Sequence, residues 1–163
     1  MTKIYLGKIV SPHGIKGELK LLSNFDKLAK ICKENFPIYI NDKKYTLTSF
    51  RYHKQYLLIS LNNYTNINEV LFLVNSDVYI EREDLELTTD EYLLEDLIGA
   101  TVIEEDEKLG QISEIIMTKQ YNLVRIINNQ DNFLVPLISQ YIISFDSANK
   151  ILKTKNAKML NIK

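Results

Sequence analysis

The sequence predicts an all-β protein built as two small β-barrels in series, with two short helices. Three observations carry this. Short strand-type runs recur at close spacing from Ile4 to Lys153, each bounded by turn residues, a pattern that marks barrels and sandwiches. Helical periodicity is confined to two brief stretches. An acid-rich, glycine-free stretch, Glu81 to Glu91, separates the halves.

The opening stretch organises the first half. The chain has 5 glycines, and Gly7, Gly14 and Gly17 all fall within its first seventeen residues. Glycine is favoured where φ must be positive or the backbone must pass close to something. Ile4, Leu6 and Ile9 fit a pleated strand, Pro12-His13-Gly14 breaks it, and Glu18 to Leu22 resumes it, with Leu19 and Leu21 alternating against Glu18 and Lys20. Gly7, His13, Gly14 and Gly17 are therefore expected to form a conformationally constrained loop.

Asp26 to Asn35 reads as a short helix, capped by Asp26 and carrying Leu28, Ile31 and Cys32 on one face until Phe36-Pro37 ends it. Ile38 to Ile40, Tyr45 to Tyr52 and Gln55 to Leu61 read as strands. Asn66 and Glu69 have capping-box spacing, and Ile67, Val70, Leu71 and Val74 give an amphipathic helix of about two turns. Asp77 to Ile80 is one more strand. In the second half the strands are Gly99 to Ile103, Leu109 to Met117, Asn122 to Asn128, Phe133 to Pro136, Ile142 to Phe145 and Ile151 to Lys153, with Glu104 to Lys108 as a turn. Pro136 suits only an edge or strand end, because it donates no ladder hydrogen bond.

Composition narrows the function class. At 163 residues, 45% hydrophobic and 25% charged, the chain has ordinary globular values. No apolar run approaches the ~20 residues needed to span a bilayer, and the N-terminus has no signal-peptide core. Cys32 is the single cysteine, so neither an intramolecular disulfide nor a cysteine metal cage is expected, and the expected compartment is the cytoplasm. A net charge of −1 argues against bulk adhesion to nucleic acid or membrane. Charge nevertheless varies along the chain. Met1 to Lys33 carries seven lysines against Glu18 and Asp26, whereas Asp77 to Glu107 holds thirteen acidic residues against Arg82 alone. Such blocks can be plain solvated faces or binding faces.

Candidate chemistry is sparse. His13 sits beside Lys16 and Glu18, but no nucleophile or ligand set accompanies it. Gly14-Ile15-Lys16-Gly17 fits the GXXG pattern of KH domains, which needs a helix on each side; here strands flank it. No P-loop or dinucleotide-binding fingerprint is present. The Glu104-Glu105-Asp106-Glu107 run lacks the ligand spacing of a calcium loop and reads as a solvated turn. Neither catalysis, a cofactor nor a metal is expected.

Gly7-Lys8-Ile9 followed by His13-Gly14-Ile15-Lys16-Gly17-Glu18-Leu19-Lys20 resembles the opening of the bacterial ribosome maturation factors of the RimM type. The second half continues the likeness in order: Asp96-Leu97-Ile98-Gly99, Val102, Leu109-Gly110-Gln111-Ile112, Leu123-Val124, Phe133-Leu134-Val135-Pro136 and Asp146. The resemblance implies a translation-factor-like N-terminal barrel at 1–81, a linker at 82–91 and a C-terminal PRC-barrel at 92–163. It implies a non-catalytic assembly factor in the cytoplasm, a monomer. Its implied partners are the free 30S small subunit, ribosomal protein S19 in the subunit head and 16S rRNA, whose processing and head maturation it would promote. Lys16 and Lys20 are candidate RNA contacts. Tyr92, Leu93 and Asp96 are candidate partner contacts; Leu93 replaces the second of two aromatics usual in the family. The alternative reading is a PRC-barrel protein-interaction module acting outside the ribosome.

Overall fold

The computed structural model describes residues 2–162. The chain divides into two compact units, Met1–Leu87 and Thr88–Lys163. The division falls within the acid-rich stretch 82–91. Arg82–Leu85 forms a 3-10 turn, and Leu85 is fully buried, so this part of the acid-rich stretch belongs to the first unit. One apolar side chain among acidic neighbours is enough to pin it.

The first unit is a closed barrel of six strands: β1 (Lys3–His13), β2 (Glu18–Leu22), β3 (Pro37–Ile40), β4 (Lys43–His53), β5 (Tyr56–Leu61) and β6 (Asp77–Glu81), in the order β1-β2-β5-β4-β3-β6. Alternation sets its inside. Leu19 and Leu21 of β2, Ile38 and Ile40 of β3, and Leu57, Ile59 and Leu61 of β5 are all buried. Asn41 and Asp42, between β3 and β4, both have positive φ, as a two-residue hairpin following the right-handed strand twist requires.

Several local expectations are corrected. Pro12 does not break β1; it pairs with Leu19, and the strand runs on to His13. The helix expected at Asp26 to Asn35 is a single 3-10 turn, Leu28–Ile31, whose buried residue is Ile31. Its stretch is too short to propagate an α-helix whose first turn costs more than it returns. The second helix, α1 (Ile67–Val70), gives way at once to a 3-10 turn, Leu71–Leu73. That change of pitch aligns Val70 with Leu73 in the core and leaves Leu71 and Phe72 exposed. Its cap is also shifted: Asn66 accepts from the Asn68 N–H, and Glu69 accepts from the Thr65 N–H.

The second unit is a six-stranded sheet of β7 (Thr101–Glu104), β8 (Glu107–Met117), β9 (Asn122–Ile127), β10 (Asn132–Pro136), β11 (Ile142–Asp146) and β12 (Ile151–Thr154), in the order β10-β9-β8-β7-β12-β11. Only β12 and β7 run parallel; the other pairs are antiparallel. Its core gathers Leu97, Ala100, Val102, Ile112, Val124, Ile126, Val135, Leu152 and Ala157. Pro136 ends β10, an outermost strand of that order.

Candidate binding surfaces

Two surfaces carry the residues singled out from sequence, one on each unit. The first is built on β1, β2, β5 and β4. Pairing places Ser11, Lys20, Leu58 and Arg51 directly across from one another on these four strands, so their side chains share the face opposite the barrel interior. Leu58 on that outer face is nonetheless fully buried. The reason is strand coiling. His13 lies at the end of β1 and His53 at the end of β4, diagonally opposite corners by register, yet their rings are 5.0 Å apart. A twisted sheet is saddle-shaped and folds one diagonal pair of corners toward one face. Here it draws the two histidine rings together on the outer face.

Charged groups surround this pair. Arg51 donates from Nε and Nη2 to the two carboxyl oxygens of Glu18, both at 2.9 Å. Lys20 Nζ lies over the Tyr56 ring at 5.3 Å from its centre, within cation–π range. The Arg51 hydrogen bond holds the Glu18 carboxyl below its ordinary range. At His53, partial desolvation and then the neighbouring His13, Lys54, Arg51 and Lys20 hold the imidazole below its usual value.

The Glu18 shift has a testable sign. A carboxyl with a depressed pKa binds fewer protons folded than unfolded, so its stabilisation is present above the ordinary glutamate value and disappears as pH falls through the folded-state value. Glu18→Gln should therefore flatten the acid limb of barrel stability below about pH 4.5 while leaving neutral-pH unfolding less changed. Urea titrations across that range check it; an acid limb as steep as that of the parent protein would refute it.

The four residues expected to form one loop separate into different roles. The turn is Gly14 to Gly17, and both of these glycines have positive φ. At Gly17 a side chain would also press on the Tyr64 carbonyl. The loop is held by the Ile67 N–H donating to the Ile15 carbonyl. His13 belongs to β1, and Gly7 lies six residues before it, where β1 and β2 cross. Lys16 is exposed at the tip, whereas Lys20 lies on the outer sheet face over Tyr56, half-buried. The two lysines are thus on one hairpin but not at one spot. The sequence missed His53, Arg51 and Tyr56, because a pairing register, not a motif, brings them to His13.

The second surface surrounds Tyr92. Its ring packs edge-on against Phe145 of β11 at 5.0 Å, and it remains half-buried. Leu93 is fully buried, so it offers no surface to a partner. Asp96 Oδ2 accepts from the Leu93 N–H at 2.9 Å, closing the first turn of the 3-10 segment Leu94–Leu97. Of the three expected partner contacts, the side chain of Tyr92 alone joins aromatic area with partial exposure. Phe145, unnoticed in the sequence, supplies the aromatic neighbour that Leu93 does not.

Glu104 corrects a further expectation. It is buried, and its carboxyl accepts from Thr154 Oγ1 at 3.2 Å, Ala157 N at 2.8 Å and Lys158 N at 3.4 Å. It is an internal clamp and no part of a solvated turn. Among the described residues no group of three His, Cys, Asp or Glu side chains is placed to hold a metal ion, and no helix is long and apolar enough to cross a membrane.

Residues 4–85 match the family model of the RimM N-terminal domain, and residues 89–158 match that of the PRC-barrel domain. The chain belongs to the RimM family. The ribosome maturation factor RimM of Acholeplasma laidlawii is 33% identical over 154 residues, covering 91% of this chain and 94% of the relative. That of Thermosipho africanus is 32% identical over 167 residues, covering 98% and 94%. A crystal structure of a 16S ribosomal RNA processing protein RimM from Pseudomonas aeruginosa is 23% identical, covers 96% of this chain and 99% of that one, and has a TM-score of 0.48. The RimM model takes in the whole of the histidine-centred cluster. The PRC-barrel model takes in Tyr92 and Phe145.

Proposed function

We propose that this chain is a ribosome assembly factor of the cytoplasm that binds the free 30S subunit as a monomer and promotes 16S rRNA processing and maturation of the subunit head, without catalysing a reaction itself. The observation that carries this is the match of both RimM-type domains, in order, over nearly the whole chain. On this reading ribosomal protein S19 docks on the second unit at Tyr92, and rRNA phosphates meet the lysines of the first unit, Lys16 and Lys20. Support for the protein contact comes from Tyr92 itself: a half-buried tyrosine braced by Phe145 combines large contact area with a polar tip. Ribosomal proteins are basic, and Glu95 lies exposed three residues on, a charge that would favour encounter.

Sedimentation of the full-length protein with free 30S subunits, compared with assembled ribosomes, tests the proposal. Selective recovery with free subunits is expected. Tyr92→Ala should weaken binding to isolated S19 by about 2 kcal/mol, as truncation of a central aromatic does, without altering the circular dichroism spectrum. Lys16→Ala combined with Lys20→Ala should make the salt dependence of subunit binding shallower. Equal recovery with assembled ribosomes, or none with either, would favour an interaction module acting outside the ribosome.

A further inference from the structure

The cluster around His13 and His53 has a composition that rRNA positioning by lysines does not explain. The chain contains 2 histidines, forty residues apart in sequence, and the coiling of the sheet sets their rings 5.0 Å from each other. Each of the four strands contributes a charged or polar group. β1 supplies His13, β2 supplies Glu18 and Lys20, β5 supplies Tyr56, and β4 supplies Arg51 and His53, with Lys54 following it. The one acid in this set, Glu18, is already engaged by Arg51 through two hydrogen bonds. Without a ligand the remaining groups are an excess of cations around two imidazoles, and both rings are only half-buried.

We infer that this cluster is an anion site for a single RNA phosphate, and that the histidine pair takes up a proton when the phosphate binds. The inference rests on the proposed role in ribosome assembly for its ligand, but its chemistry is local. Partial desolvation is the first obstacle to protonating His53, and His13, Lys54, Arg51 and Lys20 oppose it further. A phosphate bound beside the two rings reverses the sign of that environment. An anion within a few ångströms favours the charged imidazole, and each protonated ring gains N–H donors for the phosphate oxygens. Lys20 and Tyr56 stand beside the site, where the amine can meet the next phosphate and the ring face a base. By linkage, affinity must then rise as pH falls through the histidine range.

Two measurements on the full-length chain test this. In the first, the ring signals of His13 and His53 are titrated against pH by NMR with and without inorganic phosphate, at constant ionic strength; single His13→Gln and His53→Gln variants assign them. Phosphate should raise the titration midpoint of at least one ring. In the second, fluorescence anisotropy follows binding of a labelled single-stranded oligoribonucleotide. Affinity should increase about tenfold between about pH 7.5 and 5.5, and the double His→Gln variant should lose that dependence. Midpoints unmoved by phosphate overturn the anion site, as does a pH dependence that survives in the double variant. Failure of the parent protein to sediment with free 30S subunits would instead remove the assembly reading, and the NMR result would still decide the site.

Discussion

Gly7→Val should unfold the first barrel far more readily than Gly14→Ala in the turn that follows. A Cβ at position 7 would fall on the Leu22 carbonyl oxygen, closer than carbon–oxygen contacts occur, and within 3.0 Å of the Ser23 side chain. The backbone has little freedom to yield. Gly7 pairs with Val78 of β6 on one side, while Lys8 beside it pairs with Leu22 of β2 on the other. The Ser23 hydroxyl also donates to the Leu6 carbonyl across the same crossing. Added volume at such a point forces backbone shifts that cost about 3 kcal/mol, and valine adds two methyls to the clash. Gly14→Ala differs in kind: its φ of +67° is unfavourable for a side chain, but nothing lies within 4 Å of the added carbon, so a cost near 1 kcal/mol is expected. Hydrogen exchange on the intact chain distinguishes them. Amides of β1, β2 and β5 should lose protection broadly in Gly7→Val and little in Gly14→Ala. Equal protection in the two variants would mean that the crossing is looser than it stands here.

How much of this was legible in the sequence differs by level. The all-β class and its two-part order followed from short alternating runs, and most strands begin and end within two residues of the expected positions. Those runs are governed by local alternation, which sequence displays directly. The helices failed because about one turn of apolar spacing cannot separate an α-helix from a 3-10 turn; tertiary packing of Val70 and Leu73 decides it. The three early glycines were visible as a cluster, but their reasons were not. Two need left-handed φ, and Gly7 needs room for a strand that arrives fifteen residues later. The histidine pair was invisible for the same cause: sheet register and saddle coil are non-local, and His53 stands in no motif. At the second surface, family likeness drew attention to Tyr92, while burial of Leu93 and the arrival of Phe145 depend on packing that no spacing reports.

Glu104 was hidden by its neighbours, and its removal should have the second large effect. Four acids in a row invite the reading of one solvated turn, yet only Glu105 and Asp106 form it, both at positive φ. Glu104 and Glu107 pair across the hairpin as strand residues. Strand alternation then puts Glu104 on the same side as Val102, toward the core. There its carboxyl receives the Ala157 and Lys158 N–H groups and the Thr154 hydroxyl, fixing the chain after β12 while Ala157 packs in the core. No buried side-chain polar atom among the described residues lacks a partner, so the network is complete as it stands. Glu104→Ala strands the Ala157 donor and leaves the Thr154 hydroxyl only the Ile103 carbonyl at 3.4 Å; a stranded buried donor costs about 1–3 kcal/mol. A total near 3 kcal/mol is expected. Glu104→Gln keeps one accepting oxygen for Ala157 but turns an amide N–H₂ toward a second backbone donor, so about 1 kcal/mol should be lost. The comparison matters more than either value. Urea midpoints of the second unit's transition should fall in the order parent, Gln, Ala, with amide protection after Thr154 lost first. If Gln proves as damaging as Ala, both oxygens are required. If neither variant moves the midpoint, the clamp does not hold the C-terminal segment.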